Sequence, residues 1–373
     1  MNIGTIYTLY GRRAGAELYF EKIMSEFRKQ KNSEIKFIVF CNKNAESVLK
    51  NMNLGDYEII YLSNLDNQYK KAFWLEFLSK KYVEKYNINL FWIPSGTNHF
   101  PGKWNIPAVV TFHDFGEYHI KAKYVFVRMV YRKFICIRNS IKRGSAFTCV
   151  SLFTANDLLK LYGKKSAVIH NGASPQEHIF QWKSKEQVVQ FVQNECKINL
   201  RYDFFFTPGR TDFIGKGLDV LLQAAKNFKQ NFILCGPEGE GHNRFIQNLP
   251  DNVVYLGRVS EKCLSALYYL CKAVIFPSRF EGFGFPVLEA FQYKKPLIVS
   301  DGGALPEVAS DAGLIFEAGN KNDLLQKIER FLEMPELEIE HLTEKGNRRL
   351  QDFSWEKCIG EMKEVFNLMT GSN

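Results

Sequence analysis

Apolar residues in this chain gather into short continuous runs separated by amphipathic stretches. Runs at 2–9, 34–41, 57–62, 89–93, 107–112, 146–150 and 166–170 predict strands in the first half. Runs at 203–207, 231–235, 252–256, 273–277 and 296–300 predict strands in the second. Uninterrupted runs of this length suit parallel sheets covered on both faces, with the amphipathic stretches as the covering helices. The expectation is α/β: two doubly wound Rossmann-like domains whose ligands sit at the carboxyl ends of the strands, in a cleft between them. The polar stretch 174–200 breaks the rhythm, which sets the expected boundaries at 1–180 and 181–353, followed by a last helical segment, 354–373. The acidic segment 329–345 and the final helix, 354–370, have no obvious place in the second sheet.

A length of 373 residues fits two domains. No apolar run approaches the roughly 20 residues of a membrane span. The start, Met1 to Tyr7, reads as a strand rather than a leader, so the cytoplasm is the expected compartment. The eight cysteines form no C-x-x-C pair and most lie in apolar surroundings, which suits reduced, buried thiols. Charge changes the picture more. Residues 1–180 hold 26 Lys and Arg against 14 Asp and Glu, a balance of +12, while the rest of the chain carries −3. An anionic partner is therefore drawn to the first half. Nucleic acid is not expected, since no helix-turn-helix, zinc-finger or RNP pattern is present.

Four stretches carry candidate chemistry. Gly11 to Glu17 turns from the first strand into a helix; it is neither G-x-G-x-x-G nor a P-loop, and a plain tight turn reads the same way. Val109 to Asp114 delivers His113 to a strand's carboxyl end, where it serves a ligand or is a histidine satisfied in a turn. Pro208 to Gly217 places Arg210 and Lys216 on one glycine-rich loop, two cations suited to a diphosphate. Phe276 to Ala290 runs from a strand through Glu281-Gly282-Phe283-Gly284 into a helix with Pro286 in its first turn. A helix N-terminus suits an anion, and the carboxylates of Glu281 and Glu289 suit sugar or ribose hydroxyls because they only accept hydrogen bonds. Taken alone, the two glutamates also read as a loop acid and a helix-dipole partner.

Together, Gly209-Arg210…Lys216-Gly217 and the F-P-S-x-x-E-G-F-G-x-P-x-L-E-A run from Phe276 resemble the retaining GT-B glycosyltransferases of family 4 type. The resemblance extends over nearly the whole chain: Gly15-Ala16-Glu17, the His113-Asp114 strand end, Cys149 to Thr154, Val168 to Gly172, Pro296 to Asp301, Leu305 to Val308, and Phe353 to Glu356. It implies a GT-B fold whose C-terminal helix crosses back to the first domain. The first domain would bind acceptor and the second the nucleotide-sugar donor. By the same resemblance Arg210 and Lys216 hold the donor diphosphate, and Glu289 the ribose hydroxyls. Glu281, Phe283, Gly284 and Phe285 hold sugar and phosphate. Gly15 approaches the diphosphate, Gly257, Arg258 and Val259 meet the nucleobase, and His113 contacts the sugar near the reacting centre. His113 and Glu281 are the catalytic pair of the expectation. Ala16 stands where many members have a second glycine.

No D-x-D metal motif is present, and neither metal nor other cofactor is expected beyond the nucleotide-diphosphate sugar as co-substrate. The expected reaction moves a hexose-type sugar, with retention, to a saccharide or lipid-linked glycan of a surface polysaccharide. The rival readings are a GT-B sugar-nucleotide epimerase or phosphorylase and a non-catalytic nucleotide-sugar-binding subunit. The segment 121–143 has eight basic residues and no acid among aromatics, so it reads as a core-packed helix with a basic edge or as a peripheral contact with the inner face of a membrane.

Overall fold

The computed structural model describes residues 1–11, 15–30, 34–120, 126–173, 180, 182, 184–198 and 203–371. The chain divides into two compact units, Met1–Gly172 with Ser354–Asn373, and Ala173–Phe353. The second unit thus begins earlier than the 180/181 boundary set by polarity alone.

The first unit is built on seven strands: β1 (Asn2–Tyr7), β2 (Lys36–Cys41), β3 (Glu58–Tyr61), β4 (Leu90–Ile93), β5 (Ala108–Phe112), β6 (Ala146–Cys149) and β7 (Ala167–Val168). They pair in the order β3-β2-β1-β4-β5-β6-β7, all parallel. The order reverses between β1 and β4, so the chain ends emerging there flank a switch point. Strands β4 and β5 are buried at every position, which is why they read as unbroken apolar runs. The helix Trp355–Thr370 belongs to this unit. Ser354 caps it by accepting from the Lys357 N–H at 3.0 Å. Phe366 stacks on Phe27 of the helix Gly15–Lys29 at 6.1 Å. A Cβ on Gly172 would lie 2.3 Å from the Trp355 nitrogen, so glycine is required where the chain passes the start of this last helix.

The second unit holds β8 (Phe204–Pro208), β9 (Asn231–Cys235), β10 (Val253–Tyr255), β11 (Ala273–Phe276), β12 (Leu297–Ser300) and β13 (Leu314–Phe316), in the parallel order β10-β9-β8-β11-β12-β13. Its switch point falls between β8 and β11. The edge strand β13 was not among the expected strands. The acidic segment becomes parts of two helices, Lys321–Glu333 and Glu336–Arg349, packed on this unit.

The basic segment is helical from Phe126 to Arg143, with a wider π-helical stretch at Tyr131–Ile137; residues 121–125 of it lie outside the described residues. A second helix, Gln68–Lys85, has its own π stretch at Trp74–Leu78.

Candidate functional site

Strands β8 and β11 lie side by side, and the loops leaving their carboxyl ends interlock. Gly217 ends the first loop at φ +63°, and a Cβ there would sit 1.9 Å from the Pro277 carbonyl oxygen. Only glycine lets the two loops approach this closely. Arg279 then spans them: its guanidinium holds Asp219 at 2.5 and 2.8 Å and donates to the Ile214 carbonyl at 2.6 Å. The neighbouring turn after β12 is stitched to the same place. Ser300 Oγ donates to the Ser278 carbonyl at 2.5 Å, and the Ala304 N–H donates to the Glu281 carbonyl at 2.9 Å.

This scaffold brings Lys216 and Glu281, 65 residues apart in sequence, into a direct ion pair. Ser278 Oγ donates to the same carboxylate oxygen, Oε1, at 2.6 Å. Lys216 also lies over the Phe276 ring, 5.4 Å from its centroid. Arg210 is exposed beside them and takes part in no ion pair among the described residues. Gly209, Arg210, Lys216, Phe276 and Pro277 line one small recess here. Gly284 enters the helix Phe285–Gln292 at φ +113°, with Pro286 in the first turn. Phe283 is buried against Phe353, 5.7 Å between ring centroids, which anchors the turn from behind.

Glu289 lies on that helix, one turn in from its start. Tyr268, on the helix Glu261–Leu270, donates to Glu289 Oε2 at 2.5 Å. The Tyr268 ring stacks on Tyr293 at 4.9 Å and meets Phe206 edge-on at 5.0 Å, so its position is set by packing. The residue Glu289 keeps some accessible surface. Its carboxylate is nonetheless desolvated enough to raise its pKa, with the Tyr268 hydrogen bond partly opposing the rise. Nothing in the sequence pattern marked Tyr268 as part of the site, because its reach depends on how its helix sits against Phe285–Gln292. Ser278, in contrast, stood within the F-P-S run.

Gly257, past the end of β10, has φ +68° and open space where a Cβ would project. Its carbonyl accepts from the Gly236 N–H at 2.8 Å, tying this turn to the one after β9. Arg258 is exposed and Val259 half-buried.

In the first unit His113 follows β5. Its Nε2 lies 2.8 Å from the Pro94 carbonyl oxygen. A carbonyl only accepts, so Nε2 carries the proton and Nδ1 is left with a lone pair. The ring meets Tyr19 edge-on at 4.7 Å, and Thr154 Oγ1 donates to the His113 carbonyl at 3.1 Å. Burial lowers the His113 pKa, which keeps the imidazole neutral near pH 7. Gly15 opens the helix Gly15–Lys29, is exposed, and among the described residues has nothing within 4 Å of a would-be Cβ. Beneath the same end of this sheet lies a buried polar cluster that the sequence did not reveal. Arg132 pairs with Glu117 and reaches Asn98 Oδ1 at 2.5 Å. Lys71, which burial pushes down to about 8, donates to the Asn98 carbonyl at 2.9 Å.

Residues 14–177 match the description Glycosyltransferase Family 4, and residues 189–349 match Glycosyl transferases group 1, so most of the chain falls within the two. An uncharacterized glycosyltransferase of Methanocaldococcus jannaschii is 28% identical over 277 residues, spanning 71% of this chain and 69% of that protein. The O-antigen chain mannosyltransferase B of Escherichia coli is 26% identical over 285 residues, spanning 70% of each. Anabaena HepE, solved in complex with UDP-glucose, superposes with a TM-score of 0.73 at 16% identity, over 98% of this chain and 99% of that one. Motif, topology and relatives agree: the chain belongs to the GT-B glycosyltransferases of the family 4 type.

Proposed function

We propose that this protein is a retaining, metal-independent hexosyltransferase that moves a sugar from a nucleotide-diphosphate donor to a saccharide or lipid-linked acceptor during surface polysaccharide synthesis in the cytoplasm. The observation that carries the reading is the Lys216–Glu281 pair held at the β8/β11 switch point beside Arg210 and the N-terminus of Phe285–Gln292. The O-antigen mannosyltransferase and the UDP-glucose complex among the similar proteins support a nucleotide-sugar donor and a polysaccharide product.

Each residue has a part set by its chemistry. Arg210 and Lys216 neutralise the diphosphate, and the backbone at Phe283, Gly284 and Phe285 turns its helix end towards phosphate and sugar. Glu281, already accepting from Lys216 and Ser278, retains lone pairs for sugar hydroxyls. Tyr268 holds Oε2 of Glu289, leaving Oε1 for the ribose. Gly257, Arg258 and Val259 border the nucleobase. Gly15 has no positive φ and, among the described residues, no close neighbour, which fits a backbone approached by ligand. The neutral His113 offers its Nδ1 lone pair to a sugar hydroxyl.

In the reaction, the bond from the anomeric carbon to the diphosphate oxygen breaks and a bond to the acceptor oxygen forms on the same face. The acceptor proton passes to the departing phosphate. Negative charge growing on that phosphate is what Arg210 and Lys216 stabilise.

The test is a product assay with labelled donor, after thermal-shift screening of GDP-, UDP- and dTDP-sugars selects the donor. Acceptor-dependent transfer with retained anomeric configuration, persisting in EDTA, is the expected result. An isomerised or phosphorolysed donor without acceptor would replace the reading with the epimerase or phosphorylase one. Binding without turnover would leave a binding subunit.

A further inference from the structure

We propose that the outer faces of the helices Gln68–Lys85 and Phe126–Arg143 form one docking surface for an anionic phospholipid bilayer. The sheet order puts both helices on the same side. From β3 to β4 and from β5 to β6 the chain steps in the same direction across the sheet. Parallel crossovers are right-handed, so two helices joined in the same sense lie on one face. The helix Gly15–Lys29, between β1 and β2, steps the other way and lies opposite, beneath Trp355–Thr370.

The two helices are fastened side by side. Tyr131 donates to the Gln68 carbonyl at 3.1 Å and its ring meets Tyr69 at 6.3 Å. Further along, Arg143 pairs with Glu76 at 2.7 Å. Their inner sides supply Trp74, Leu75, Val83, Cys136 and Ile137 to the core.

Their outer sides are unusual. Tyr69 is 62% exposed, Phe73 56%, Phe77 64% and Phe134 61%. Phe73 and Phe77 sit one turn apart with ring centroids at 5.0 Å, an aromatic pair that covers no core. Tyr69, Phe73 and Phe77 follow at four-residue spacing on one helix, and exposed rings grouped in this way mark an interaction surface. The exposed cations on the same helices are Lys70, Lys80, Lys81 and Lys85 on one and Arg128, Arg138 and Lys142 on the other. Gln68–Lys85 carries two carboxylates, Glu76 and the exposed Glu84, the latter 3.9 Å from Lys80. Phe126–Arg143 contains no carboxylate. Glu76, between the helices, is taken up by Lys103 at 2.6 Å and by Arg143.

Rings flanked by cations of one sign suit a bilayer interface, where the rings enter the headgroup region and the cations meet anionic lipid. No helix among the described residues is long and apolar enough to cross a membrane, so the contact is peripheral. The surface extends the transferase reading by naming where a lipid-linked acceptor is met, and it involves no donor-site residue.

The test is co-sedimentation of the full chain with vesicles of phosphatidylglycerol mixed with phosphatidylcholine, against phosphatidylcholine alone. Binding to the anionic vesicles, weakened by salt, is the expected result. The triple variant Phe73→Ser, Phe77→Ser, Phe134→Ser should lose binding by about tenfold or more. Arg138→Glu with Lys142→Glu should weaken it and reduce its salt dependence. Both variants should keep the wild-type melting temperature and the wild-type thermal shift with donor, which separates failure of this surface from failure of the donor site. The proposal is overturned if the wild type stays in the supernatant, or if both variants sediment as the wild type does. Equally tight binding to a mixed-sequence RNA, lost in the same variants, would overturn the bilayer as occupant.

Discussion

The carboxyl ends of the two sheets handle charge in opposite ways. In the second unit, Lys216 and Glu281 pair where both keep part of their surface in solvent, 25% and 18% of the side chain. In the first, Arg132 and Glu117 pair with 7% and 0% exposed. A pair that keeps part of its surface in solvent contributes less to stability than a fully buried one loses on disruption, since water still solvates its members in part. Its placement at a switch point is therefore better understood as preparation for a ligand. A buried pair is different: removing one member strands the other in a medium that cannot solvate it. The first cluster holds its loops, and the second presents its charges.

That contrast is sharpest for Arg132→Leu. It should destabilise the first unit by about 3–5 kcal/mol, because Glu117 would be left uncompensated. Thermal melting checks it, with donor thermal shift of the folded fraction unchanged. If Arg132→Leu melts like the wild type, the cluster is not structural and the contrast collapses.

At the second site the loss should fall on turnover instead. Lys216→Ala and Glu289→Ala should each cut transfer by tenfold or more, since one lost charge-assisted contact exceeds about 1.4 kcal/mol. Melting temperatures should move little for Lys216→Ala. Near-wild-type turnover in both would remove the donor assignment.

Tyr268→Phe is milder and more specific. It should raise the donor KM by about threefold to tenfold and leave kcat nearly unchanged, because the carboxylate of Glu289 loses its orienting hydrogen bond. A pH profile separates this from simple loss of packing. Glu289 is faced by Tyr268, by Tyr293 and by the Cys235 thiol; its pKa is raised by burial, and the Tyr268 hydrogen bond lowers it. Donor binding by the wild type should weaken on acidification at a pH above the ordinary glutamate range. In Tyr268→Phe that weakening should begin at still higher pH, and in Glu289→Gln it should vanish.

The smallest effect is acid sensitivity of the first unit. Burial lowers the pKa of His113 and pushes that of the fully buried His99 well down. The unfolded chain then binds protons that the folded one refuses. Their stability contribution is complete above about 6.5 and is lost as pH falls through the depressed folded values. Melting at pH 7.5 and 5.5 should show the first unit losing more than the second.

Much of the site was legible in the chain. Lys216, Glu281 and Gly284 stood out because the roles proposed for them need particular residue types in a fixed local order: a cation after a strand, a carboxylate before a glycine turn, a glycine at positive φ. Tyr268 was not legible, because a tyrosine on an amphipathic helix looks the same whether its hydroxyl meets water or Glu289. Arg132 was read as one of several basic residues on a helix edge; only its neighbours Glu117 and Asn98, from other loops, show that it faces inward. The aromatic face on Gln68–Lys85 escaped for a related reason. The π turn at Trp74–Leu78 departs from the 3.6-residue period by which a sequence sorts inward from outward positions.

By itself the sequence determined two parallel α/β units and the motif of the proposed donor site, since apolar runs and glycine turns act over a few neighbouring residues. The tertiary structure alone decided which charges are buried and which presented. It joined Lys216 to Glu281, Tyr268 to Glu289 and Arg132 to Glu117, and it left Phe73 and Phe77 facing solvent. Each depends on the approach of segments far apart along the chain. The dielectric around a side chain is set by that approach and not by its neighbours in sequence.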